Sequence, residues 1–181
     1  MPEEYARGLA PEGAVAVEEF VRAGGTLVTF GSSTHWATEL LRLALVDVTQ
    51  GPAAEEFSCP GSVLRGVPGN HPLTAGLPAS VALFFSSGSS AWRPMTDKER
   101  EEAESINDGA IEILMEYAPT RMLLSGWIKE PQVIEGRAGW VRAEYGQGTA
   151  HLFGFRPQFR GWTQATFPLI FRSILLDGQR E

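Results

Sequence analysis

Apolar side chains recur at helical spacing in three segments of the chain. The first covers residues 13–23 and is predicted to end at Gly24–Gly25, because glycine accepts the left-handed conformation that often closes a helix. A second helix is predicted over about residues 35–45. A third is predicted to begin near Thr166, since Pro168 is tolerated only in a first helical turn. Its apolar stripe consists of Phe167, Ile170, Phe171, Ile174 and Leu175.

Short apolar and β-branched runs between these helices predict strands. The run TLVTF at 26–30 is apolar on both faces, which is typical of a strand in a covered parallel sheet. Near the end of the chain, AGWVRAEY, GQG and TAHLFGF predict a strand, a glycine turn and a second strand, and therefore a hairpin. Helices followed by strands indicate an α/β fold. Further strands are predicted at 62–65, 80–85, 91–94, 110–118 and 121–127.

Residues 95–110 interrupt this alternation with a run of charge. The segment favours a solvated helix or a surface insertion, because its acidic side chains greatly outnumber its basic ones. The acidic residues are Asp97, Glu99, Glu101, Glu102, Glu104 and Asp108, and the basic residues are Lys98 and Arg100. The sequence contains no internal repeat and no linker long enough to divide it, so residues 1–181 are predicted to form a single domain.

The composition narrows the possible partners. The chain has 181 residues, 43% of them hydrophobic, which is enough for a substantial core. A net charge of −7 disfavours a nucleic-acid surface, which would be basic. No apolar run approaches the roughly 20 residues of a membrane helix. This segment also lacks a secretory leader, although a secreted or periplasmic location is expected if it belongs to a longer peptidase.

The first candidate for chemistry is the sequence GSST, which follows the predicted strand 26–30. Open α/β folds place nucleophiles and ligands at the carboxyl ends of strands. Ser32 or Ser33, with His35 nearby, is a candidate for a serine hydrolase or amidase. The pattern differs from the G-x-S-x-G of such enzymes, so capping of the next helix by Ser33 or Thr34 is the favoured interpretation.

Cysteine and histidine offer little further chemistry. The single Cys59 excludes an internal disulfide and a thiolate zinc cluster, and Pro60-Gly61 after it indicate a turn. A buried structural thiol is therefore favoured over a nucleophile. His71 is expected to bond its own backbone, and His151 to face outward or sit satisfied in the core. No two-histidine metal spacing occurs, so we expect no metal or other cofactor in this segment.

The stretch GTAHLFGFRPQFRG at 148–161 has the densest functional signal. Its arginines suit carboxylates or phosphates, and its aromatic residues suit a sugar or a peptide side chain. These residues predict a carbohydrate- or peptide-binding module, while the alternative assigns the arginines to salt bridges and the rings to the core. We call the arginine- and aromatic-rich segment 155–162 the lip. The candidate binding residues of the lip and of the GSST turn are Gly31, Ser32, Ser33, Arg156, Gln158, Arg160 and Trp162, and the ring of Phe159 offers a further flat face.

An ordered set of segments in this chain resembles one family. These are GAVAVEEFVRAGGTLVTFGSST, EEFSCPGSVLRG, HPLTAGLP, LLSGW and GQGTAHLFGFRPQFRGWTQATFPLIFRSIL. Together they resemble the C-terminal class I glutamine-amidotransferase-like domain of bacterial M14-type zinc carboxypeptidases. The resemblance implies an α/β, flavodoxin-like three-layer sandwich that serves the peptidase as an accessory domain. It also implies that zinc belongs only to the separate peptidase domain.

The resemblance further implies that amidotransferase chemistry is lost. Enzymes of that class use a Cys–His–Glu triad, with the cysteine on the turn that TFGSS occupies here and the histidine in a late F-H-P turn. Glycine or serine stands at the first position, and the second is Phe155-Arg156-Pro157. Arginine stays protonated at any working pH, so Arg156 cannot act as a general base.

Another difference from the family concerns the sheet. The chain begins at MPEEY, where the family would already have completed its first strands and a helix. The resemblance therefore implies a sheet that lacks these strands and has an unpaired edge, which proteins usually cover. We expect a homo-oligomer or a contact with the peptidase domain, and no contact with nucleic acid or membrane.

Overall fold

The computed structural model describes residues 9–51, 54–161 and 163–176, and its nine strands form one mixed sheet. The strands are β1 (Thr26–Phe30), β2 (Leu45–Asp47), β3 (Gly61–Pro68), β4 (Val81–Ser86), β5 (Trp92–Pro94), β6 (Ile111–Tyr117), β7 (Leu123–Ser125), β8 (Ala138–Tyr145) and β9 (Gly148–Phe153). The α-helices are α1 (Pro11–Arg22), α2 (Ser33–Leu40), α3 (Asp97–Glu102) and α4 (Phe167–Leu175).

The main path of the sheet runs β1-β9-β8-β6-β3-β4. Strand β2 pairs with β5, β5 pairs with β8, and β7 pairs with β3. Only β1 and β9 are parallel, with Val28 opposite His151, and all other pairings of the described strands are antiparallel. The α/β class is confirmed, but the predicted parallel sheet is reduced to one pair, because hairpins such as β8–β9 join strands in antiparallel fashion.

Apolar clusters cover both faces of this sheet. Trp140 and Phe153 point into one cluster, which also contains Leu169 of α4. The next residues along the same strands, Val141 and Leu152, point into the other cluster. That second cluster contains Val21 of α1 together with Ala37 and Leu41 from α2 and its end. The alternation of side chains along β8 and β9 thus places α4 on one face and α1 and α2 on the other.

The second helix is shorter than its sequence pattern predicted. Helix α2 ends at Leu40, and Arg42 adopts a left-handed conformation with φ 49°. Leu45 then begins β2, which pairs with β5. The prediction of a helix through residue 45 is therefore wrong over its last turn, because the chain reverses at Arg42 without a glycine to signal it.

The charged segment forms the solvated helix that the sequence predicted. The Thr96 and Glu99 side chains cap α3 reciprocally, and no residue of this helix is buried. Glu99 also pairs with Arg93 at 2.6 Å. The pKa of the Glu99 carboxyl falls to about 2, chiefly through its hydrogen bond with Arg93 and also through those with Thr96.

Helix α4 begins at Phe167, as predicted, but it buries a different face. Leu169 and Ser173 are buried, whereas Phe171, Ile174 and Leu175 of the predicted stripe are exposed. Periodicity shows that a helix has an apolar face, but not what covers that face. The sequence pattern therefore could not predict which side chains of α4 are buried.

Candidate functional site

Strands β1, β9 and β6 end at one border of the sheet, here called the carboxyl edge, and β4 runs in the same direction and extends beyond it. Strand β1 is parallel to β9, and the antiparallel steps through β8, β6 and β3 give β6 and β4 that same direction. The GSST turn therefore lies beside the loop 86–90 and the turn 154–156. The structure places the two sequence-predicted candidate segments, the GSST turn and the start of the arginine-rich stretch, at this one border.

Gly31 opens the turn after β1 in a left-handed conformation with φ 55°. Its amide donates to the Phe153 carbonyl at 3.3 Å, which continues the β1–β9 pairing. The Ser33 hydroxyl donates to the Phe30 carbonyl at 2.8 Å and accepts from the Phe30 amide. The Thr34 hydroxyl donates to the Gly31 carbonyl at 2.6 Å. Both hydroxyl groups thus hold the turn itself together.

The predicted capping of this helix is wrong in detail. The N-cap residue is Ser32, and its side chain makes no capping hydrogen bond. Ser33, proposed as the cap, is instead the first helical residue, and its hydroxyl bonds back to Phe30. The turn is stabilised by a bond to the preceding strand rather than by a side chain over the helix amides.

Arg156 lies between this turn and the loop 86–90. Its amide donates to the Phe84 carbonyl at 2.9 Å, and its Nη2 donates to the Ser87 carbonyl at 3.3 Å. A Cβ atom added to Gly31 would lie 3.6 Å from Arg156 Nε. The turn in which the resemblance puts a nucleophile and the position at which it puts a histidine are therefore neighbours, and they hold glycine or serine and an arginine.

The loop 86–90 is tied to both neighbouring segments. The Ser90 amide donates to the Gly154 carbonyl at 2.8 Å, and the Tyr117 hydroxyl donates to the Ser90 carbonyl at 3.0 Å. The Ser90 hydroxyl lies 3.3 Å from that of Thr34. Burial raises the pKa of Tyr117 far above its ordinary value, with smaller contributions from Asp47 and Cys59, so this phenol stays a hydrogen-bond donor.

A cavity of about 190 Å³ opens on the far side of this loop. It is lined by segments 49–50, 57–60 and 85–89, which contribute mainly hydroxyl, amide and aromatic groups and no charged side chain. Within the described residues, the buried Ser86 hydroxyl at this cavity has no hydrogen-bond partner. The cavity thus suits a small neutral molecule with polar groups. Sequence reasoning missed it, because SSGSS reads only as a turn.

Cys59 lines this cavity but is not activated. Its residue is 5% exposed, and burial raises the pKa of the thiol, which a hydrogen bond with Ser62 offsets only in part. A raised pKa keeps the sulfur protonated at neutral pH, whereas a nucleophilic cysteine needs a lowered one. These properties agree with the buried structural thiol that the sequence favoured.

We expect the Cys59 thiol of the folded protein to react with Ellman's reagent at pH 8 about tenfold or more slowly than in denaturant. Each unit by which the pKa is raised lowers the thiolate fraction about tenfold, and burial restricts access further. Because Cys59 is the single cysteine, the absorbance change reports this residue alone. Equal rates in the folded and denatured protein would contradict the assignment.

The remaining predicted site residues are spread over the surface. His35 Nε2 lies 3.3 Å from a Glu39 carboxylate one helical turn away, and no described contact joins it to Ser32 or Ser33. Gln158 is exposed. Arg160 is exposed and lies over the Phe159 ring at 5.1 Å.

The aromatic part of the predicted lip is already occupied. The Phe159 ring stacks on that of Phe84 with centroids 4.0 Å apart, so one of its faces is covered. Trp162 lies outside the described residues. The structure thus brings together Gly31, Ser32, Ser33 and Arg156, while His35 lies apart from them.

The other histidines are structural in this arrangement. His71 Nδ1 accepts from the Leu73 amide at 3.1 Å, which confirms the predicted bond to its own backbone. His151 is fully buried and its Nδ1 accepts from Trp140 Nε1 at 3.3 Å. The described residues contain no group of three or more His, Cys, Asp or Glu side chains that could hold a metal ion. Nor does any helix within them have the length and apolar character needed to cross a membrane.

No protein-family model and no curated protein matches this sequence. Among solved structures, a cytoplasmic protein from Salmonella typhimurium has a TM-score of 0.53 at 14% identity, over 96% of this chain and 63% of that one. A β-galactosidase from Bacillus circulans sp. alkalophilus has a TM-score of 0.52 at 17% identity, over 93% and 21%. A putative GMP synthase subunit from Thermoplasma acidophilum has 0.52 at 9% identity, over 92% and 64%.

The chain therefore spans less than two thirds of each of these solved proteins. At identities this low, the similarity concerns the fold alone. The shared architecture is a mixed α/β fold of the kind seen in the GMP synthase subunit, and it also occurs as about one fifth of the β-galactosidase chain.

Proposed function

We propose that this chain is a non-catalytic domain of the flavodoxin-like, class I glutamine-amidotransferase-like type. It acts as an accessory domain of an M14-type zinc carboxypeptidase, in packing or in binding a ligand or partner. The observation that carries the loss of catalysis is the juxtaposition of Gly31 and Arg156, with 3.6 Å between Arg156 Nε and the position of a Gly31 Cβ.

These two residues supply neither half of the chemistry that an acyl transfer needs. A glycine has no nucleophilic side chain, and a guanidinium stays protonated and cannot accept a proton. The serine alternative lacks support for a related reason. The Ser33 hydroxyl is engaged with the Phe30 backbone, and His35 lies beside Glu39, with no described contact to Ser32 or Ser33 that could activate either hydroxyl.

The accessory role is supported by how the fold is used elsewhere. The matched region covers 93% of this chain but 21% of the β-galactosidase, so in that protein a similar unit is one part of a larger chain. Within a longer chain, a domain without its own catalytic pair can pack against a neighbouring catalytic domain or present ligands to it.

The loss of catalysis is tested by assays for the two reactions that the turn would support. We expect no release of ammonia from glutamine and no labelling by a fluorophosphonate probe above the level of a Ser32→Ala/Ser33→Ala double variant. Labelling that disappears in the double variant would instead establish a serine hydrolase. The peptidase association is tested in the gene, where an in-frame M14-type domain is expected upstream and a stop codon would contradict it.

Ligand binding is a second candidate function, favoured by the uncharged cavity beside loop 86–90. Hydroxyl and amide groups around a small cavity match the polar groups of a monosaccharide or of a peptide side chain. Calorimetric titration with panels of monosaccharides and short peptides tests this role. Binding should weaken in Ser87→Ala, because this serine lines the cavity and is exposed. A panel without binding heat would contradict the role.

A further inference from the structure

The acidic segment 95–110 forms one wall of a second cavity, which has a volume of about 350 Å³. The other walls are α2 and the stretch from Arg42 to β2. The Met95 amide donates to the Ala44 carbonyl at 3.0 Å, and the Asn107 amide donates to the Arg42 carbonyl at 2.9 Å. Both bonds fix the segment beside the chain that follows α2. The cavity thus lies between elements that are tied together.

Two further contacts hold this wall in place. Arg93 pairs with Glu99 of α3 at 2.6 Å. The Asn107 side-chain amide donates to the Glu144 carbonyl of β8 at 2.8 Å. None of these four residues lines the cavity, so the contacts do not compete with a ligand. The cavity is therefore largely preformed, as sites for small molecules usually are.

The floor of this cavity is apolar. Leu43 and Leu45 line it, are almost fully buried and belong to the apolar cluster that also contains residues of α1 and α2. Met95 and Ile106 of the acidic segment are half-buried and line the same space. Such a floor favours a ligand with a hydrocarbon body, because binding removes apolar surface of both partners from water.

Charged groups surround this floor, and most of them are carboxylates. Glu39 of α2, Asp47 of β2 and Glu104 of the acidic segment line the cavity, against Arg42 as its one guanidinium. Within the part of the chain that the structure describes, none of the three carboxylates forms an ion pair with a lysine or an arginine. Glu39 lies beside His35, at 3.3 Å. With this histidine neutral, the lining has an excess of two negative charges.

Asp47 is the carboxylate with the least access to water. Its Oδ1 accepts from the Thr49 amide at 2.9 Å and from the Thr49 hydroxyl at 2.6 Å. Its Oδ2 is buried and has no hydrogen-bond partner among the described residues. Because solvent screens a buried charge less than an exposed one, Asp47 attracts a cation in the cavity through its field, without direct contact by Oδ2.

We propose that this acid-rimmed cavity binds a small amphipathic cation, namely a protonated amine on a hydrocarbon chain. The chain lies on Leu43 and Leu45, and the ammonium lies among the carboxylates. A metal ion fits less well, because no group of three or more His, Cys, Asp or Glu side chains in the described ranges could hold one. An anion would meet an excess of like charge. The volume of about 350 Å³ is near the lower end of the range of about 300–1,000 Å³ for small-molecule sites.

The proposal is independent of the proposed function. The uncharged cavity beside loop 86–90 is lined by Cys59 and Phe85 of the other apolar cluster, and it shares only Gln50 with the acid-rimmed cavity. Binding of an amine is therefore compatible with either outcome of the glutamine, fluorophosphonate and monosaccharide assays. Its failure would likewise leave the loss of catalysis standing.

NMR of the methionine methyl groups tests the proposal, with hexylamine as the probe. Met95 lines the cavity, whereas Met115 and Met122 are buried in the other apolar cluster. We expect hexylamine to shift the Met95 methyl signal with a Kd of about 1 mM or below, and to leave the other two signals unchanged. Hexanol, the neutral counterpart, should bind about tenfold more weakly, and hexanoate more weakly still.

Charge variants locate the ammonium. Glu39→Gln and Glu104→Gln should each weaken hexylamine binding about two- to five-fold, and Arg42→Gln should strengthen it by a similar factor. Asp47→Asn should weaken binding more than either glutamate variant, because its charge is screened less. Glu130→Gln is the matched control and should leave the Kd unchanged, since Glu130 is an exposed carboxylate of the segment 128–134, whose apolar residues join the other cluster.

Three results would overturn the proposal. The first is equal binding of hexylamine and hexanol, which would leave the carboxylates without a role. The second is a Met95 signal that does not move at hexylamine concentrations well above the expected Kd, or a shift of Met115 or Met122 in its place. The third concerns the source of the amine. A Gly-Lys-Gly peptide should bind more weakly than hexylamine, and tighter binding would assign the cavity to the lysine of a partner protein.

Discussion

Replacing Gly154 by alanine is expected to lower the free energy of unfolding by about 3 kcal/mol. An added Cβ would lie 2.1 Å from the Ser90 carbonyl oxygen and 3.0 Å from the Trp92 ring. The oxygen belongs to the backbone, and its own loop is tied to Gly154 by the 2.8 Å bond from the Ser90 amide. Relief of the contact therefore requires the two segments to separate. Urea denaturation, followed by circular dichroism, measures the change.

Gly61→Ala is the matched control for this substitution. Gly61 begins β3, and nothing lies within 4 Å of the position of its Cβ. We expect its effect to stay within about 0.5 kcal/mol, as for most surface substitutions. Gly154→Ala should also displace Arg156, two residues further on, and thereby disturb the carboxyl edge. Equal stability of the two variants would show that the β9 turn is not held as described.

Trp140→Ala is expected to lower the free energy of unfolding by about 3–5 kcal/mol, the usual cost of removing a large aromatic side chain from a core. Trp140 is fully buried, and its ring stacks on that of Phe153 with centroids 4.8 Å apart. Its Nε1 also donates to His151 Nδ1 at 3.3 Å. The cavity would open in the core on the face of the sheet that carries α4, beside the Phe153 ring. Thermal and urea denaturation measure the loss.

Trp127→Ala controls for the loss of a tryptophan as such. The Trp127 residue is 53% exposed, and the hydrogen bonds that it makes with Ser62 use its backbone amide and carbonyl. They survive the substitution, so the cost should stay below about 1 kcal/mol. A cost as large as that of Trp140→Ala would mean that the stability lost in Trp140→Ala does not come from burial of its ring in the core.

Local patterns in the sequence predicted most strands, because alternation and turn residues act over a few positions. The run at 26–30 coincides with β1, and the predicted hairpin is β8–β9. The parallel pairing expected of this strand holds for β1 with β9, but it does not extend to the rest of the sheet, because the direction of each strand depends on partners far away in the chain. The prediction of a helix through residue 45 was wrong because Arg42 adopts a left-handed conformation that is usually found at glycine.

The site was predictable only where it carried distinctive chemistry. The resemblance placed a glycine or serine of the TFGSS turn and Arg156 at the catalytic positions, and the structure makes that turn and Arg156 neighbours. Tyr117 and the loop 86–90 were missed, because a tyrosine in a strand and a run of serines and glycine resemble ordinary structure. Their role arises from the bond between the Tyr117 hydroxyl and the Ser90 carbonyl, which no sequence spacing encodes.

The pairing of β1 with β9 also determines when the carboxyl edge can form. Thr26 and Thr149 lie side by side, yet they are 123 positions apart in the chain. Closing so long a loop costs entropy before any contact repays it, and contacts of this kind slow folding. On the ribosome, β1 emerges well before its neighbour has been synthesised. The nascent protein therefore exposes the apolar strand β1 without its partner β9 until β9 follows, and aggregation competes with folding during that interval.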